Sequence, residues 1–396
     1  MLSFEPIRNM ENSLRPSRTI MALLLGLSGV QAQAFSLDQM VPGRWYEVPG
    51  SNLSSVAPAS IPPGTTGLSS IMRSWNGGVF DVKRDRLVVW GGGHTNYAGN
   101  EIYAFDLASL RWIRVTDPSS LNGWNDGDEA YRDGRPVSRH TYAGLAYVPT
   151  PFDALWSSSG SKWRNGNGTK ATWMFHFSTG KWKRVSDAPS GHLGSVAAYD
   201  PSSRKVWFHT RNHLYSYDPA TDTWEQRTSY MGGQGCGGKL PSYMTGAIDT
   251  KRHRFVMIGA GCAFYYDLSA SGKLQRIQVG GSGASDVKGG KAPGFVYDSA
   301  DDLFLAWNGG KTITTLDFSA STPVWTRYQP GGDDPGVTAL NGTYGRMQYS
   351  PNRNLVVLVN HVDRNVFLYR HSANQTPVLT PPTPAKPVVR IEQVTP

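Results

Sequence analysis

The sequence is poor in several features that mark common protein classes. It has only two cysteines, Cys236 and Cys262, which in an oxidising compartment favour one disulfide, with free or metal-bound thiols as the alternative. No long segment repeats apolar residues with the 3.6-residue period of an amphipathic helix. Lysine and arginine are dispersed, without a basic helix or run, which argues against a nucleic-acid partner.

Long hydrophobic runs are scarce as well. The apolar run at residues 20–27 is too short to span a bilayer and is followed by polar sequence. Basic residues before it (Arg15 and Arg18) and the small-x-small pattern Ala32-Gln33-Ala34 after it are typical of a secretory signal peptide. We therefore expect residues 1–34 to be a signal peptide, and the protein to be secreted (extracellular or periplasmic) without a membrane span.

Charge of one sign is in excess. The chain has 39 lysines and arginines against 30 acidic residues, a formal net charge of +9. A basic secreted protein suggests an acidic partner, and an anionic polysaccharide is the partner we expect. We expect a monomer.

What the sequence does contain is a repeat. Short alternating runs separated by turn residues indicate an all-β fold. One unit has four predicted strands and ends on a tryptophan: Gly78–Asp81, Leu87–Trp90, Glu101–Asp106 and Arg111–Val115. Similar units run from Ala143 to Trp182, Val196 to Trp224, Gly246 to Leu274 and Phe295 to Trp325.

The last copy of the repeat is incomplete. It runs from Met347 to Tyr369 and lacks a fourth strand, whereas Gly43–Val48 near the mature N-terminus has the form of that strand. Pairing the two would close a ring of six units and hide the sheet edges. The chain would then end in a proline-rich tail or linker over residues 374–396.

The glycines and tryptophans occupy fixed places in the repeat. Gly91-Gly92-Gly93 ends a strand, and Asp106 precedes Trp112 by six residues, as Asp218 precedes Trp224. This pattern resembles the kelch-type β-propeller. The resemblance implies an all-β, six-bladed kelch-like β-propeller over residues 35–373, closed by the N-terminal strand. Kelch repeats occur in enzymes and in interaction modules, so the function has to be argued from a site.

Aligning the units on one another predicts where that site lies. In a propeller, the loops before the first strand and after the second strand of each blade open on the same face. The candidate catalytic residues that this alignment brings to the face are His94, His140, His192, Tyr142, Tyr243 and Arg211. The candidate substrate-binding residues are Trp75, Asn76, Asn308, Lys311, Tyr344, Arg346 and His361.

The residue types on this face favour one chemistry. Glycoside hydrolysis normally needs two carboxylates, and the face has few outside the loop Trp124–Asp133. That loop could instead bind a hard cation, although it matches no complete calcium-binding motif. β-Elimination on a uronate needs a base, an acid and a cation against the carboxylate, which histidine, tyrosine and arginine supply.

In this respect the chain resembles the secreted propeller polysaccharide lyases of the ulvan lyase type. The resemblance implies that His94, His140 or His192 is the base, that Tyr142 or Tyr243 is the acid, and that Arg211 neutralises the substrate carboxylate. We therefore expect a secreted lyase that cleaves an acidic, uronate-containing polysaccharide by β-elimination.

Three alternatives remain open from the sequence. His94, His140 and His192 could form a divalent metal site, so the cofactor requirement is unknown. A non-catalytic glycan-binding propeller would use Trp75, Trp163 and the tyrosines to stack on sugars. A glycoside hydrolase or other metal-dependent enzyme could use the same face. A copper-radical oxidase of the galactose oxidase kind shares the kelch fold, but the sequence has no Tyr-His pair to match its ligands.

Overall fold

The computed structural model describes residues 35–229 and 243–374 of the chain. Within these ranges α-helix is limited to Ser70–Arg73 and Ser285–Gly289, and 3-10 turns occupy Leu37–Gln39, Leu53–Val56, Gly67–Ser69 and Tyr344–Arg346. None of the described helices has the length and apolarity needed to cross a membrane. The expected signal peptide, Cys236 and the tail after Asn374 lie outside the described residues. Cys262 is disulfide-bonded.

The strands form six blades, each a sheet of four or more strands. The N-terminal strand is β1 (Arg44–Glu47), and blade one contains β2 (Gly78–Asp81), β3 (Arg86–Val89), β4 (Tyr103–Asp106) and β5 (Arg111–Arg114). A two-stranded ribbon of β6 (Arg139–His140) and β9 (Ser161–Lys162) accompanies blade two, which contains β7 (Leu145–Val148), β8 (Ala154–Ser158), β10 (Thr172–His176) and β11 (Lys181–Val185).

The remaining blades follow in chain order. Blade three contains β12 (Val196–Asp200), β13 (Lys205–His209), β14 (Leu214–Asp218) and β15 (Thr223–Gln226). Blade four contains β16 (Met244–Asp249), β17 (Arg254–Gly259), β18 (Cys262–Asp267) and β19 (Ile277–Gln278). Blade five contains β20 (Gly294–Asp298), β21 (Leu303–Trp307), β22 (Ile313–Asp317) and β23 (Val324–Tyr328). Blade six contains β24 (Gly331–Gly332), β25 (Met347–Ser350), β26 (Leu355–Leu358) and β27 (Phe367–Arg370), together with β1.

The N-terminal strand closes the propeller as the sequence predicted. β1 pairs antiparallel with β27, with Trp45 opposite Tyr369, and so becomes the outer strand of blade six. The first strands of successive blades contact one another around the whole ring, from β2 through β7, β12, β16, β20 and β25 back to β2. The all-β, six-bladed fold predicted from the repeat is confirmed, while the fourth strand of blade four lies at β19, after the expected end at Leu274.

The hydrophobic core lies between adjacent blades. Val88 and Trp90 of blade one pack in one cluster with Leu155 and Phe175 of blade two, and equivalent clusters join the later blades. Three of the repeat tryptophans add a polar link, because their indole N–H groups donate to a carbonyl that follows the outer strand of the preceding blade. These bonds join Trp112 to Ser51 at 2.8 Å, Trp224 to Ser186 at 2.9 Å and Trp325 to Gly280 at 2.9 Å.

The propeller has two distinct faces. We call the end that carries the hairpins between the first and second strands the hairpin face, and the opposite end the histidine face. Each of the six hairpins between the first and second strands contains a non-glycine residue with positive φ: Asp85, Asp153, Arg204, His253, Asp302 and Asn354. Arginines of some hairpins bond to aspartates in the next blade, as Arg84 does to Asp153 at 2.7 Å and Arg252 to Asp302 at 2.6 Å.

Candidate functional site

The glycines after β3 allow blade two to pack directly against blade one. Gly92 N–H donates to the Arg139 carbonyl at 3.0 Å, and Gly93 has φ of 78°. A Cβ atom on Gly93 would lie 2.1 Å from the His140 backbone nitrogen, so no other residue fits there. The glycines therefore allow the backbones of the two blades to approach closely, which places His140 beside the loop that carries His94.

His140 lies beneath the surface of the histidine face. Its side chain is 2% exposed, and its Nε2 donates to Oδ1 of Asn96 at 2.9 Å. The Trp75 ring lies 5.1 Å away. Burial, and secondarily His94, lower the pKa of His140 to about 3. His140 is therefore neutral at any physiological pH.

His94 is the accessible member of the pair. It is exposed, has φ of 44°, and is anchored by its backbone N–H to the Lys162 carbonyl at 3.1 Å. Its ring meets that of His140 edge-on, with the centroids 6.0 Å apart. A left-handed conformation is uncommon for a residue of this size and is held here by the loops of two blades. The arrangement presents one imidazole to solvent above a second, neutral one.

Aromatic residues close the propeller axis on this face. Tyr142 contacts His140 on one side and Tyr344 on the other, with ring centroids 6.4 and 6.1 Å apart. Both tyrosines have φ of 52°, and Tyr142 N–H donates to the Trp75 carbonyl at 2.7 Å. Burial, with Tyr243 as a second cause, raises the pKa of Tyr142 to about 12. Tyr142 therefore keeps its hydroxyl proton at neutral pH.

His192 belongs to a second group of histidines. Its carbonyl accepts from Gly160 N–H at 3.0 Å, and Gly160 in turn abuts the His140 carbonyl. Its Nε2 is hydrogen-bonded to Oγ of Ser190 at 2.6 Å. Burial, and then His213, lower the pKa of His192. The structure thus separates the three histidines grouped by the sequence into a contacting pair and a neighbour across Gly160.

His209, at the end of β13, is not among the residues predicted from the sequence. It is 4% exposed, packs against the rings of Phe264 and Tyr266, and has no hydrogen-bond partner for either ring nitrogen within the described residues. Burial, followed by Arg276 and His192, lowers the pKa of His209 to about 3. The one signal in the sequence is that it directly follows the apolar run Val206-Trp207-Phe208.

Cations lie at the surface of the histidine face. Arg211 is exposed and has no ion pair within the described residues. Lys291 is exposed and holds its ammonium 5.7 Å from the ring centroid of the half-buried Tyr243. The charged and titratable groups that shift the pKa values of His140, His192 and Tyr142 are histidines and a tyrosine, with no described carboxylate among them.

Three predicted substrate-binding residues are part of the framework: Tyr344, which is fully buried at the propeller axis, Asn76 and Arg346. Asn76 is fully buried, and its amide bonds to the backbone of Thr141 at 3.1 Å and Ser70 at 2.8 Å. Arg346 is also fully buried, and its guanidinium donates to the carbonyls of Asn76, Val359 and Gly342. Burial lowers the pKa of Arg346 to about 9. None of these side chains reaches solvent, because aligning repeats gives a position in the blade but not its depth.

The remaining candidates lie on blades five and six. The Asn308 amide donates to the Asp286 carbonyl at 2.9 Å, and half-buried Lys311 accepts the Trp45 indole proton on its carbonyl at 2.9 Å. His361 is exposed, and its Nδ1 lies 3.8 Å from Oδ2 of Asp363. In the described structure no contact joins these three residues to the pair of His94 and His140.

The acidic loop is tied down by its own contacts. Glu129 bonds to Nζ of Lys162 at 2.8 Å and to the Thr169 hydroxyl at 2.6 Å, and Asp128 accepts from Asn125 N–H at 3.1 Å. Over residues 35–229 and 243–374, no three histidine, cysteine or acidic side chains are grouped so that they could hold a metal ion. Trp163 is 6% exposed, which leaves its ring unable to stack on a sugar.

Comparisons with known proteins do not identify a family for this chain. No family model and no curated protein sequence matches the chain. One solved structure that matches it is a fungal alcohol oxidase of the AA5 family in complex with copper, with a TM-score of 0.45 and 10% sequence identity. The match covers 83% of this chain and 77% of that one. At this similarity the function has to be argued from the site itself.

Proposed function

We propose that the protein is a polysaccharide lyase that cleaves a uronate-containing polysaccharide at the histidine face. The observation that carries the proposal is that the exposed His94 lies above the neutral His140 on a face that also bears Arg211 and Lys291. No described carboxylate contributes to the pKa shifts of His140 and His192. A glycoside hydrolase would instead require a pair of carboxylates across the scissile bond.

The chemistry assigns one role to each residue type. His94 removes the proton next to the substrate carboxylate while Arg211 pairs with that carboxylate and stabilises the developing negative charge. The C4–O bond breaks as the C4–C5 double bond forms, and the leaving oxygen takes a proton from the half-buried Tyr243, because Tyr142 is only 6% exposed.

In this proposal His140 is a positioning residue. It is too buried to reach a polysaccharide, but its ring edge supports the His94 ring. Because the pKa of His140 is about 3, it adds no positive charge that would hinder protonation of His94 during the reaction.

The test is a screen of uronate polysaccharides followed by a matched pair of variants. Turnover is read as near-ultraviolet absorbance of the unsaturated uronate product. His94 and His253 both have positive φ, so each is changed to asparagine, which tolerates that conformation. We expect His94→Asn to lower kcat/KM by about 100-fold or more, as for loss of a general base. His253→Asn, on the hairpin face, should keep wild-type activity.

Two outcomes would contradict the proposal. Retardation of a polysaccharide on a gel without any absorbance change would make the protein a glycan-binding propeller. Equal activity of the two variants on a cleaved substrate would remove His94 from the reaction.

A further inference from the structure

A cavity lies on the propeller axis, away from the histidine face. It has a volume of about 350 Å³ and is lined by the first strands of all six blades. Its rim is formed by the first residues of the six hairpins, Val82, Pro149, Pro201, Thr250, Ser299 and Pro351. The cavity therefore opens on the hairpin face.

The other end of the cavity is closed. None of Trp75, Tyr142, Tyr243 and Tyr344 lines it. These four residues instead pack in one hydrophobic cluster, where backbone bonds join neighbouring blades, from Tyr142 N–H to the Trp75 carbonyl at 2.7 Å and from Tyr344 N–H to the Ala292 carbonyl at 2.9 Å. A ligand of this cavity would enter from the hairpin face and would not meet His94.

The wall carries an aromatic collar. The same position of each first strand supplies one collar residue: Phe80, Tyr147, Tyr199, Ile248, Tyr297 and Tyr349. Three of the tyrosine hydroxyls are already bonded to the hairpin of their own blade, to Asp153 at 2.9 Å, Asp302 at 2.7 Å and Asn354 at 3.1 Å. Apart from Tyr199, the collar tyrosines thus contribute rings rather than free hydroxyls to the wall.

The wall also lacks charge. Not one of the described residues that line the cavity is acidic, basic or a histidine. The charged residues of the neighbouring hairpins pair with one another instead, as Arg84 does with Asp153 and Arg252 with Asp302. An acidic sugar would lose its hydration here without a counter-charge, which is costly.

We propose that the axial cavity is a binding site for an uncharged aromatic small molecule, independent of the polysaccharide site. Ligand pockets are typically concave, of about 300–1,000 Å³, and mostly apolar with a few polar groups, and this cavity meets that description. Flat aromatic ligands gain additional attraction from ring-to-ring contacts of the kind that the collar offers.

The test uses N-phenyl-1-naphthylamine, an uncharged aromatic dye, on the full chain. We expect saturable fluorescence enhancement with one site per chain. Ala198 and Ala247 line the cavity from different blades, so Ala198→Leu and Ala247→Leu should each raise the dye Kd about 10-fold by filling space. Two variants are used in case one fails to fold. Ala220→Leu, on an exposed turn, should bind as wild type.

A second arm tests the chemistry of the ligand. Uncharged naphthalene should displace the dye, whereas 1-naphthoate should need an at least 10-fold higher concentration. The proposal would be overturned if Ala198→Leu and Ala247→Leu both fold and bind the dye with wild-type affinity. Weaker dye binding by His94→Asn, or displacement by naphthoate at the same concentration as naphthalene, would also overturn it. Dye binding that occurs only after removal of residues 375–396 would overturn it as well, because the tail and not a small molecule would then be the occupant of the cavity. The outcome is separate from lyase activity, because the dye requires no polysaccharide.

Discussion

At the scale of single residues, burial decides which histidines can act. His140 and His209 are both 4% exposed or less, and the pKa of each is lowered to about 3. Their sequence neighbours give little warning of this: His140 and His192 both precede the first strand of a blade, yet His140 is buried and His192 is half-buried. Only His94 combines exposure with a ring contact to another candidate residue.

The buried histidines make stability dependent on pH. In the unfolded chain a histidine has a pKa of about 6.5, so between that value and about 3 only the unfolded state binds the proton. The free energy of unfolding therefore falls as the pH drops through this window, by about 2–3 kcal/mol per histidine at about pH 4.5.

His209→Leu tests this dependence. We expect the variant to be at least as stable as wild type at neutral pH, because the two ring nitrogens of His209 have no described hydrogen-bond partner. Its stability loss on acidification should be smaller than that of wild type by about 2–3 kcal/mol. Urea unfolding at neutral pH and at about pH 4.5 measures the difference, with His253→Asn as the control. Identical acid losses in wild type and His209→Leu would refute the argument.

At the scale of elements, the hairpins between the first two strands connect neighbouring blades. Arg252 contacts the fully buried carboxylate of Asp249 in its own blade at 3.1 Å and Asp302 in the next blade at 2.6 Å. The hydrogen bonds of Arg252 and Lys251 hold the pKa of Asp302 well below its usual range, against the opposing effect of burial. Arg84, Asp81 and Asp153 repeat the arrangement between blades one and two.

Removing such an arginine should cost more than removing an exposed one. Arg252→Met leaves the Asp249 carboxylate buried without its ion pair, and we expect a loss of about 2 kcal/mol in the free energy of unfolding. Arg204→Met changes an exposed arginine of the equivalent hairpin in blade three and should cost less than about 0.5 kcal/mol. Urea unfolding at neutral pH compares the two, and equal losses would show that the interblade ion pair adds no stability.

At the scale of the whole molecule, stability depends on closing the ring. Trp45 of β1 is fully buried, packs 5.0 Å from the Tyr369 ring, and donates its indole proton to the Lys311 carbonyl at 2.9 Å. This single side chain joins the N-terminal strand to blades five and six. Without β1, the edge of β27 would be free to pair with another chain.

Trp45→Ala should therefore destabilise the entire propeller. We expect a loss of about 3–5 kcal/mol, typical for truncating a buried tryptophan. The neighbouring Tyr46 points to the opposite side of the strand and is only half-buried, so Tyr46→Ala should cost less than half as much. Size-exclusion chromatography should also show self-association when residues 35–47 are deleted. A monomeric deletion variant with an unchanged urea midpoint would contradict this account.

The number of blades, their strand order and the closure by Gly43–Val48 could be read from the residues, because each blade is a local pattern of alternating strands, in most blades with a tryptophan on the outer strand. The environment of the candidate side chains could not, because it arises where loops distant in the chain meet. Gly93 touches the His140 backbone, Asn96 binds its ring, and Arg346 reaches the carbonyl of Asn76. Those contacts decide which groups are buried, neutral or exposed, since burial and neighbouring charge set the pKa of each side chain.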